Sequence, residues 1–307
     1  MLQRGFQVRC FVRRSRTNLG FAEGLPIEIV RGSYYDLDSL HEAVGEADYV
    51  FHIAGITKAR KPRELNDGNV LSTRNLLEAS SKNPRLKKFC FISSLTATGP
   101  SLDGKPVDEN TPCHPITAYG VTKLEAETIC QLHSNRVPIV VLRPPAVYGP
   151  RDHDGFGLYQ LASKGFIPCF GSREKMVSLI YGPELARAIV DAAVSERTTG
   201  ETYFVADPPI YSFTDTMKAM AELLGKSART VVLPTWLLYG LAGVSEVLTV
   251  FQSGPSIFNI EKIRDLVQKH WICNPAKLEA HIGFRTQVSI EDGLKRTLEW
   301  YKEYGWL

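Results

Sequence analysis

Two residues in the segment TAYGVTK have the types and spacing to move a proton. Tyr119 and Lys123 lie four apart at the start of a predicted helix, which puts both side chains on one face. A tyrosine phenol titrates near ~10, and a neighbouring ammonium favours its phenolate form. Such a phenol can pass a proton to or from a substrate oxygen. A Tyr-x-x-x-Lys spacing also arises by chance in a chain of this composition, so it needs company. The segment FCFISSLTATGP, Phe89 to Pro100, supplies it. It reads as an apolar strand ending in Ser93 and Ser94 and followed by a turn. A hydroxyl there can hydrogen-bond a substrate carbonyl or alcohol. The plainer reading is that the two serines end the strand and satisfy backbone groups.

The elements that must carry these residues alternate along the first half of the chain. The opening MLQRGFQVRCFVRR reads as a helix end, Leu2 to Gly5, closed by a glycine and followed by a strand. Strands are predicted over Gln7–Val12, Ile27–Arg31, Tyr49–Ile53, Lys88–Ser93 and Pro138–Arg143. Helices are predicted between them over Leu37–Val44, Asn69–Ser80 and Tyr119–Leu132. Short apolar strands separated by helices imply an α/β fold with a doubly wound parallel sheet, covered on both faces. Ligands bind at the carboxyl ends of such strands, where Ser93 and Ser94 fall. Beyond Gly149 the pattern loosens. Arg151–Arg173 reads as rich in loops, Pro183–Val194 as a helix and Thr202–Val205 as a strand. The last hundred residues read as mainly helical, ending in Ser289–Tyr304. There is no internal repeat and no low-complexity segment.

Composition excludes several classes. The 307 residues are 44% hydrophobic and 22% charged, enough for a sizeable core. A net charge of +3 without runs of like charge argues against nucleic acid as a partner. Cys10, Cys90, Cys113, Cys130, Cys169 and Cys273 show no metal-ligand spacing and are expected as reduced thiols in a cytoplasmic protein without a metal. The N-terminus does not read as a signal peptide. The stretch WLLYGLAGVSEVLTVF, Trp236 to Phe251, is short of the ~18 apolar residues of a membrane span and contains Glu246. It is expected to be a helix on the core or over a pocket, with peripheral contact to a membrane surface as the alternative.

Together the motifs resemble the extended short-chain dehydrogenase/reductase family, which includes NAD(P)-dependent epimerases, dehydratases and 3β-hydroxysteroid-type dehydrogenases. FISSLTATG resembles the family's segment bearing the catalytic Ser/Thr, and AYGVTK its Tyr-x-x-x-Lys segment. DYVFHIAG, NVLSTRNLLEA and VVLRPPAVYGPRD resemble the fourth strand, the following helix and the strand and loop beside the nicotinamide. FRTQVSIEDGLKRTLEWYKEYGWL resembles the family's ending. The resemblance implies that Tyr119 is the acid/base, that Lys123 tunes it and holds the nicotinamide ribose, and that Ser94 orients the reacting oxygen. It implies cofactor contacts from Ile53, Ala54, Gly55, Asn69, Ser93, Pro144, Ala146 and Val147. It also implies a Rossmann-like dinucleotide-binding region over 1–150 with 176–206 returning to it. The substrate region is then 151–175 with 207–307. A homodimer is expected through a four-helix bundle of Asn69–Ser80 and Tyr119–Leu132.

The family places a first strand and a glycine-rich, phosphate-binding turn before its first helix. Neither is present here. The expectation is that about 20 to 30 residues precede Met1 in the natural protein. The alternative is a chain that has lost ordinary dinucleotide binding. Where NAD-preferring folds end the second strand on an acid, this sequence has Arg13 and Arg14, which suit a 2′-phosphate. NADP(H) is therefore expected, with NAD as the alternative. Asp36 and Leu37 resemble the family's adenine-contacting pair, and Asp36 reads equally as an N-cap. Relatives acting on nucleotide sugars usually carry Asn where Ala146 stands. That change and the apolar Trp236–Phe251 favour a small apolar alcohol or ketone as substrate. A nucleotide-sugar epimerase or dehydratase is the runner-up, and a non-catalytic nucleotide-binding relative comes third. Cys113 and His114 read either as pocket lining or as ordinary loop residues.

Overall fold

The computed structural model describes residues 1–59, 61–249 and 260–307. The chain opens with a single 3-10 turn, Leu2–Arg4, closed by Gly5 at φ 78°. Strands Val8–Arg13 (β1) and Ile27–Gly32 (β2) pair in parallel, Val8 beside Ile27 through Arg13 beside Gly32. Helix Leu37–Val44 (α1) follows, then strand Tyr49–His52 (β3). Next come helix Pro62–Asn66 (α2) and helix Ser72–Ser80 (α3). They are joined by one π-helical turn, Asp67–Leu71, where the sequence predicts an uninterrupted helix from Asn69. The hydroxyls of Ser72 and Thr73 donate back to the carbonyls of Gly68 and Asn69, four residues earlier, which loosens the ladder at that turn.

Strand Lys88–Ile92 (β4), the short helix Leu95–Thr98 (α4), helix Ala118–His133 (α5) and strand Ile139–Arg143 (β5) complete the centre. Every residue of β4 and β5 is buried, as two-sided cover requires. Phe89 and Phe91 face Leu40, Leu77, Ala126 and Ile129 of α1, α3 and α5. Cys90 and Ile92 point the other way, toward Leu185, Ala188 and Ile189 of helix Gly182–Val194. Strands run parallel in the order β3, β4, β5 and then Thr202–Phe204. Among the described residues β1 and β2 form their own two-stranded sheet, with no ladder to β3. Side chains join the two sheets: Phe11 packs edge-on to Tyr34 at 5.4 Å, and Tyr34 lies 5.8 Å from His52.

The remaining elements are Ala146–Tyr148 (β6), His153–Ser163 (α6), Phe166–Phe170 (β7), Met176–Val177 (β8), Leu179–Tyr181 (β9) and Gly182–Val194 (α7). They continue with Thr202–Phe204 (β10), Tyr211–Ser212 (β11), Phe213–Leu223 (α8), Arg229–Leu233 (β12), Thr235–Thr249 (α9) and Ile260–Leu266 (α10). His270–Trp271 (β13), Ala276–Ile282 (α11) and Ile290–Glu303 (α12) end the chain. The segment 151–173, read from sequence as loops, instead holds α6 and β7. Gly155, Gly157 and Gly165 hide the helix, and Pro168 hides a strand that pairs only with β12. Around α6, an aromatic cluster ties the end of the chain to its middle: Tyr301 donates to the Asp152 carbonyl at 2.6 Å and Tyr159 to the Leu294 carbonyl at 2.8 Å.

Helix α9 lays Leu238 and Ala242 against Phe170, Leu233 and Ile263, as expected for a helix on a core. Its outward Trp236 is 74% exposed. Val250 and Phe251, the end of the apolar stretch, lie outside the described residues. No described helix is long and apolar enough to cross a membrane. All six cysteines are free thiols.

Candidate active site

The carboxyl ends of β3, β4 and β5 hold the residues that the sequence singled out. Ser94 ends β4 and caps α4, its hydroxyl accepting from the backbone N–H of Thr96 at 3.2 Å and from the Thr96 hydroxyl at 2.9 Å. Thr117 caps α5, accepting from the Gly120 N–H at 3.1 Å. That cap starts the helix one turn before Lys123 and places Tyr119 near Ser94. Gly120 is needed here, because a Cβ at this position would collide with the Thr96 carbonyl. From the far side, Glu261 of α10 accepts from the Ala118 N–H at 2.9 Å, and Arg264 reaches the Ile116 carbonyl at 3.4 Å. A groove of about 680 Å³ lies on that side, between α2, α5 and α10.

Lys123 is 3% exposed and donates to the Ile92 carbonyl at 2.5 Å, with its ammonium 4.5 Å from the centre of the Phe91 ring. Burial pulls its pKa down to about 8, opposed by the nearby Glu127 carboxylate. Burial pushes the Tyr119 phenol above its ordinary value, and the neighbouring Ser94 hydroxyl works the other way. The sequence suggested instead that the ammonium would draw the phenol down. The difference has a cause: desolvation by burial governs the phenol.

Ile53, Ala54 and Gly55 form an exposed edge after β3. A Cβ on Gly55 would stand 3.9 Å from the Lys123 ammonium and 3.1 Å from the Asn69 amide oxygen, so this edge abuts the buried lysine. Asn69 is spent on holding that edge. Its oxygen accepts from the Ile56 N–H at 2.7 Å, and its amide donates to the Ile56 carbonyl at 2.9 Å and to Thr122 at 3.0 Å. Pro144 is buried and accepts from the Leu95 N–H at 2.8 Å, while Ala146 and Val147 are exposed just beyond. Ser93 is buried and gives its hydroxyl to Glu127. Cys113 and His114 are loop residues held by neighbours: Arg143 lies 3.5 Å from the thiol, and the imidazole bonds the carbonyls of Pro100 and Pro112.

Arg13, Arg14, Asp36 and Leu37 gather separately, at the carboxyl end of the β1–β2 sheet. Asp36 takes the N-cap role, its oxygen 3.3 Å from the Ser39 N–H, and pairs with Arg14 at 2.7 Å. Arg13 lines a cavity of about 440 Å³ with Ser15, Arg16, Thr17 and Asn18.

Sequence reading missed Glu127, Arg143 and Thr96. Glu127 carried a signal, since it continues the four-residue spacing of Tyr119 and Lys123 along α5. The glycine-bounded edge beside Lys123 and the cationic cavity at Arg13 fit the nicotinamide-ribose and adenosine ends of a dinucleotide. Among the described residues no glycine-rich turn serves its pyrophosphate.

Comparison with known proteins bears on family and fold. Over its full length the chain is 26% identical to the ceramide reductase of Caulobacter vibrioides, covering 90% of that protein. It is 26% identical over 299 residues to a UDP-N-acetyl-alpha-D-glucosaminuronate decarboxylase of Bacillus cytotoxicus, with 90% of this chain and 84% of that protein covered. A crystal structure of UDP-glucose 4-epimerase from Thermotoga maritima shares the fold at a TM-score of 0.80, with 22% identity, 99% of this chain and 93% of that chain. Residues 1–206 match the model of the NAD dependent epimerase/dehydratase family, and the chain belongs to that family.

Proposed function

We propose that this enzyme transfers hydride between a nicotinamide dinucleotide and an alcohol or ketone carbon of an apolar substrate. The observation that carries the reading is the gathering of Ser94 beyond β4, Tyr119 in the first turn of α5 and the buried Lys123 one turn later, held under the Ile92 carbonyl. The dinucleotide, when bound, supplies or accepts the hydride. Ser94 fixes the substrate oxygen by a hydrogen bond. Tyr119 gives that oxygen a proton in reduction and removes one in oxidation. Lys123, as an ammonium, lowers the cost of the phenolate that reduction leaves behind. Ile53, Ala54 and Gly55, with Pro144, Ala146 and Val147, flank the nicotinamide, and Arg13 with Arg14 receives a 2′-phosphate, favouring NADP(H) over NAD(H). Arg14 must then share itself with Asp36.

An apolar substrate is supported by Ala146 and Val147, exposed beside the Ser94 corner without a polar group to offer, and by the full-length likeness to a ceramide reductase. The second reading is epimerisation or dehydration of a nucleotide sugar. The likeness to the glucosaminuronate decarboxylase and the epimerase structure favours it.

The test is oxidation of NADPH, and separately NADH, by the purified chain with long-chain ketones, against turnover of UDP-sugars. Tyr119→Phe is expected to cut ketone turnover by roughly 10²–10⁴-fold while nucleotide binding, followed by fluorescence, stays within about twofold. Turnover of UDP-sugars alone overturns the apolar reading. Unchanged turnover in Tyr119→Phe overturns the catalytic assignment, and absence of any turnover with intact nucleotide binding favours a non-catalytic relative.

A further inference from the structure

Glu127 stands where three parts of the site meet. It follows Tyr119 and Lys123 at the same four-residue step on α5, so all three share one stripe of the helix. Its carboxylate accepts from Arg143 twice, Nε to Oε1 at 3.0 Å and Nη2 to Oε2 at 2.6 Å, and Ser93 donates to Oε1. The two ion-paired side chains are 8% and 9% exposed. Ser93 immediately precedes Ser94. Arg143 ends β5 and immediately precedes Pro144. One carboxylate therefore pins the strand end bearing Ser94, the strand end leading to Ala146, and the helix bearing Tyr119 and Lys123.

We propose that Glu127 is a positioning residue for this site, holding Ser93 and Arg143 in register with α5 and keeping Lys123 in its charged form. The proposal rests on the reading of Tyr119 and Lys123 given above. The electrostatic part follows from counting charges in a buried space. Lys123 and Arg143 are two buried cations, and Glu127, one helical turn from Lys123 and ion-paired with Arg143, is the nearby anion that acts on both. Removing the anion leaves two uncompensated buried cations, and Lys123 is the one able to discharge. The other groups around Lys123 do not replace Glu127. His52 of β3 is held neutral by burial, its pKa lowered to about 3. Cys130 of α5 is a buried thiol pushed well above its ordinary range. Tyr119 is held protonated by burial. From β4 come the Phe91 ring and the Ile92 carbonyl, neither of which titrates.

The experiment has a readout that needs neither cofactor nor activity. The protein is labelled with lysine carrying ¹³C at Cε, and the Lys123 signal, identified by its loss in Lys123→Met, is followed against pH. Wild type is expected to titrate near 8. In Glu127→Gln the midpoint is expected to fall by about one unit or more, and in Glu127→Asp to stay near wild type. An unchanged midpoint in folded Glu127→Gln overturns the proposal. Should that variant fail to fold by circular dichroism, Glu127→Gln with Arg143→Met removes the unpaired guanidinium and leaves Lys123 as the single cation of the three, and a smaller fall is expected there. No fall in the double variant overturns the proposal equally. In reduction assays the alkaline limb of kcat/KM should move down in Glu127→Gln by the same amount as the lysine midpoint. A merely structural residue would lower the amplitude and leave the limb in place. If wild type shows no turnover, the functional reading fails while the lysine titration still judges Glu127.

Discussion

Single residues decide how this protein responds to acid. His52 is 1% exposed, its Nε2 lies 2.8 Å from the Thr73 hydroxyl, and its Nδ1 has no hydrogen-bond partner among the described residues. Thr73 gives its own proton to the Asn69 carbonyl, so the imidazole donates from Nε2 and Nδ1 is bare. Burial and the nearby Lys123 charge lower its pKa from 6.5 to about 3. The unfolded chain protonates this histidine as pH drops below 6.5, and the folded chain resists down to about 3. The stabilisation is therefore complete above 6.5 and shrinks through that window, by roughly 1.4 kcal/mol per pH unit. Urea unfolding at pH 7 and pH 5 should show a loss of about 2 kcal/mol that is absent in His52→Gln. Tyr119, Lys123 and Ser94 were legible in the sequence because spacing and strand position speak directly to side-chain direction. The desolvation that sets their protonation was not, since it depends on what α5, β3 and β4 together exclude from water. Glu127 was legible in principle from spacing, but its partners Ser93 and Arg143 lie 34 and 16 residues away in sequence.

At the scale of elements, the first turn of α5 bears the greatest consequence per contact. Thr117 caps it from within, Glu261 holds it from α10, and Gly120 lets it approach α4. Thr117→Ala is expected to cost about 1 kcal/mol in global stability, measured by thermal unfolding. Turnover should fall further than stability alone explains, because the cap also aims Tyr119. The central strands and α1, α5 and α7 were legible to within a residue or two, since the strands are short apolar runs, Asp36 and Thr117 cap α1 and α5, and Pro183 starts α7. Helix α6 was not, because three glycines lie within or beside it and its stability comes from packing of Tyr159 against Tyr301 rather than from its own sequence. The π turn at 67–71 was likewise hidden: serine and threonine hydroxyls create it, and no periodicity reports it.

At the scale of the molecule, the parallel order β3–β4–β5–β10 and the helices on both faces follow from the alternation of elements that the sequence shows. The separation of β1 and β2 from that sheet falls where the resemblance places a central strand that this sequence lacks. It has a consequence in time as well as in space. Cooperative opening spreads most readily through continuous backbone ladders, and here the ladder stops between β1 and β3, leaving side-chain packing as the link, with Phe6, Phe11 and Tyr34 and the Leu40 and Val44 contacts of α1 among it. The amides of β1 and β2 are expected to trade hydrogen for deuterium as one block, at least tenfold faster than those of β4 and β5. Mass spectrometry of peptides from the two regions would read this, and equal protection would mean that side-chain packing without a shared ladder makes one cooperative unit of both sheets. Faster exchange would mean that the end bearing Arg13, Arg14 and Asp36 breathes, while the end bearing Ser94 and Lys123 keeps its shape from one opening to the next.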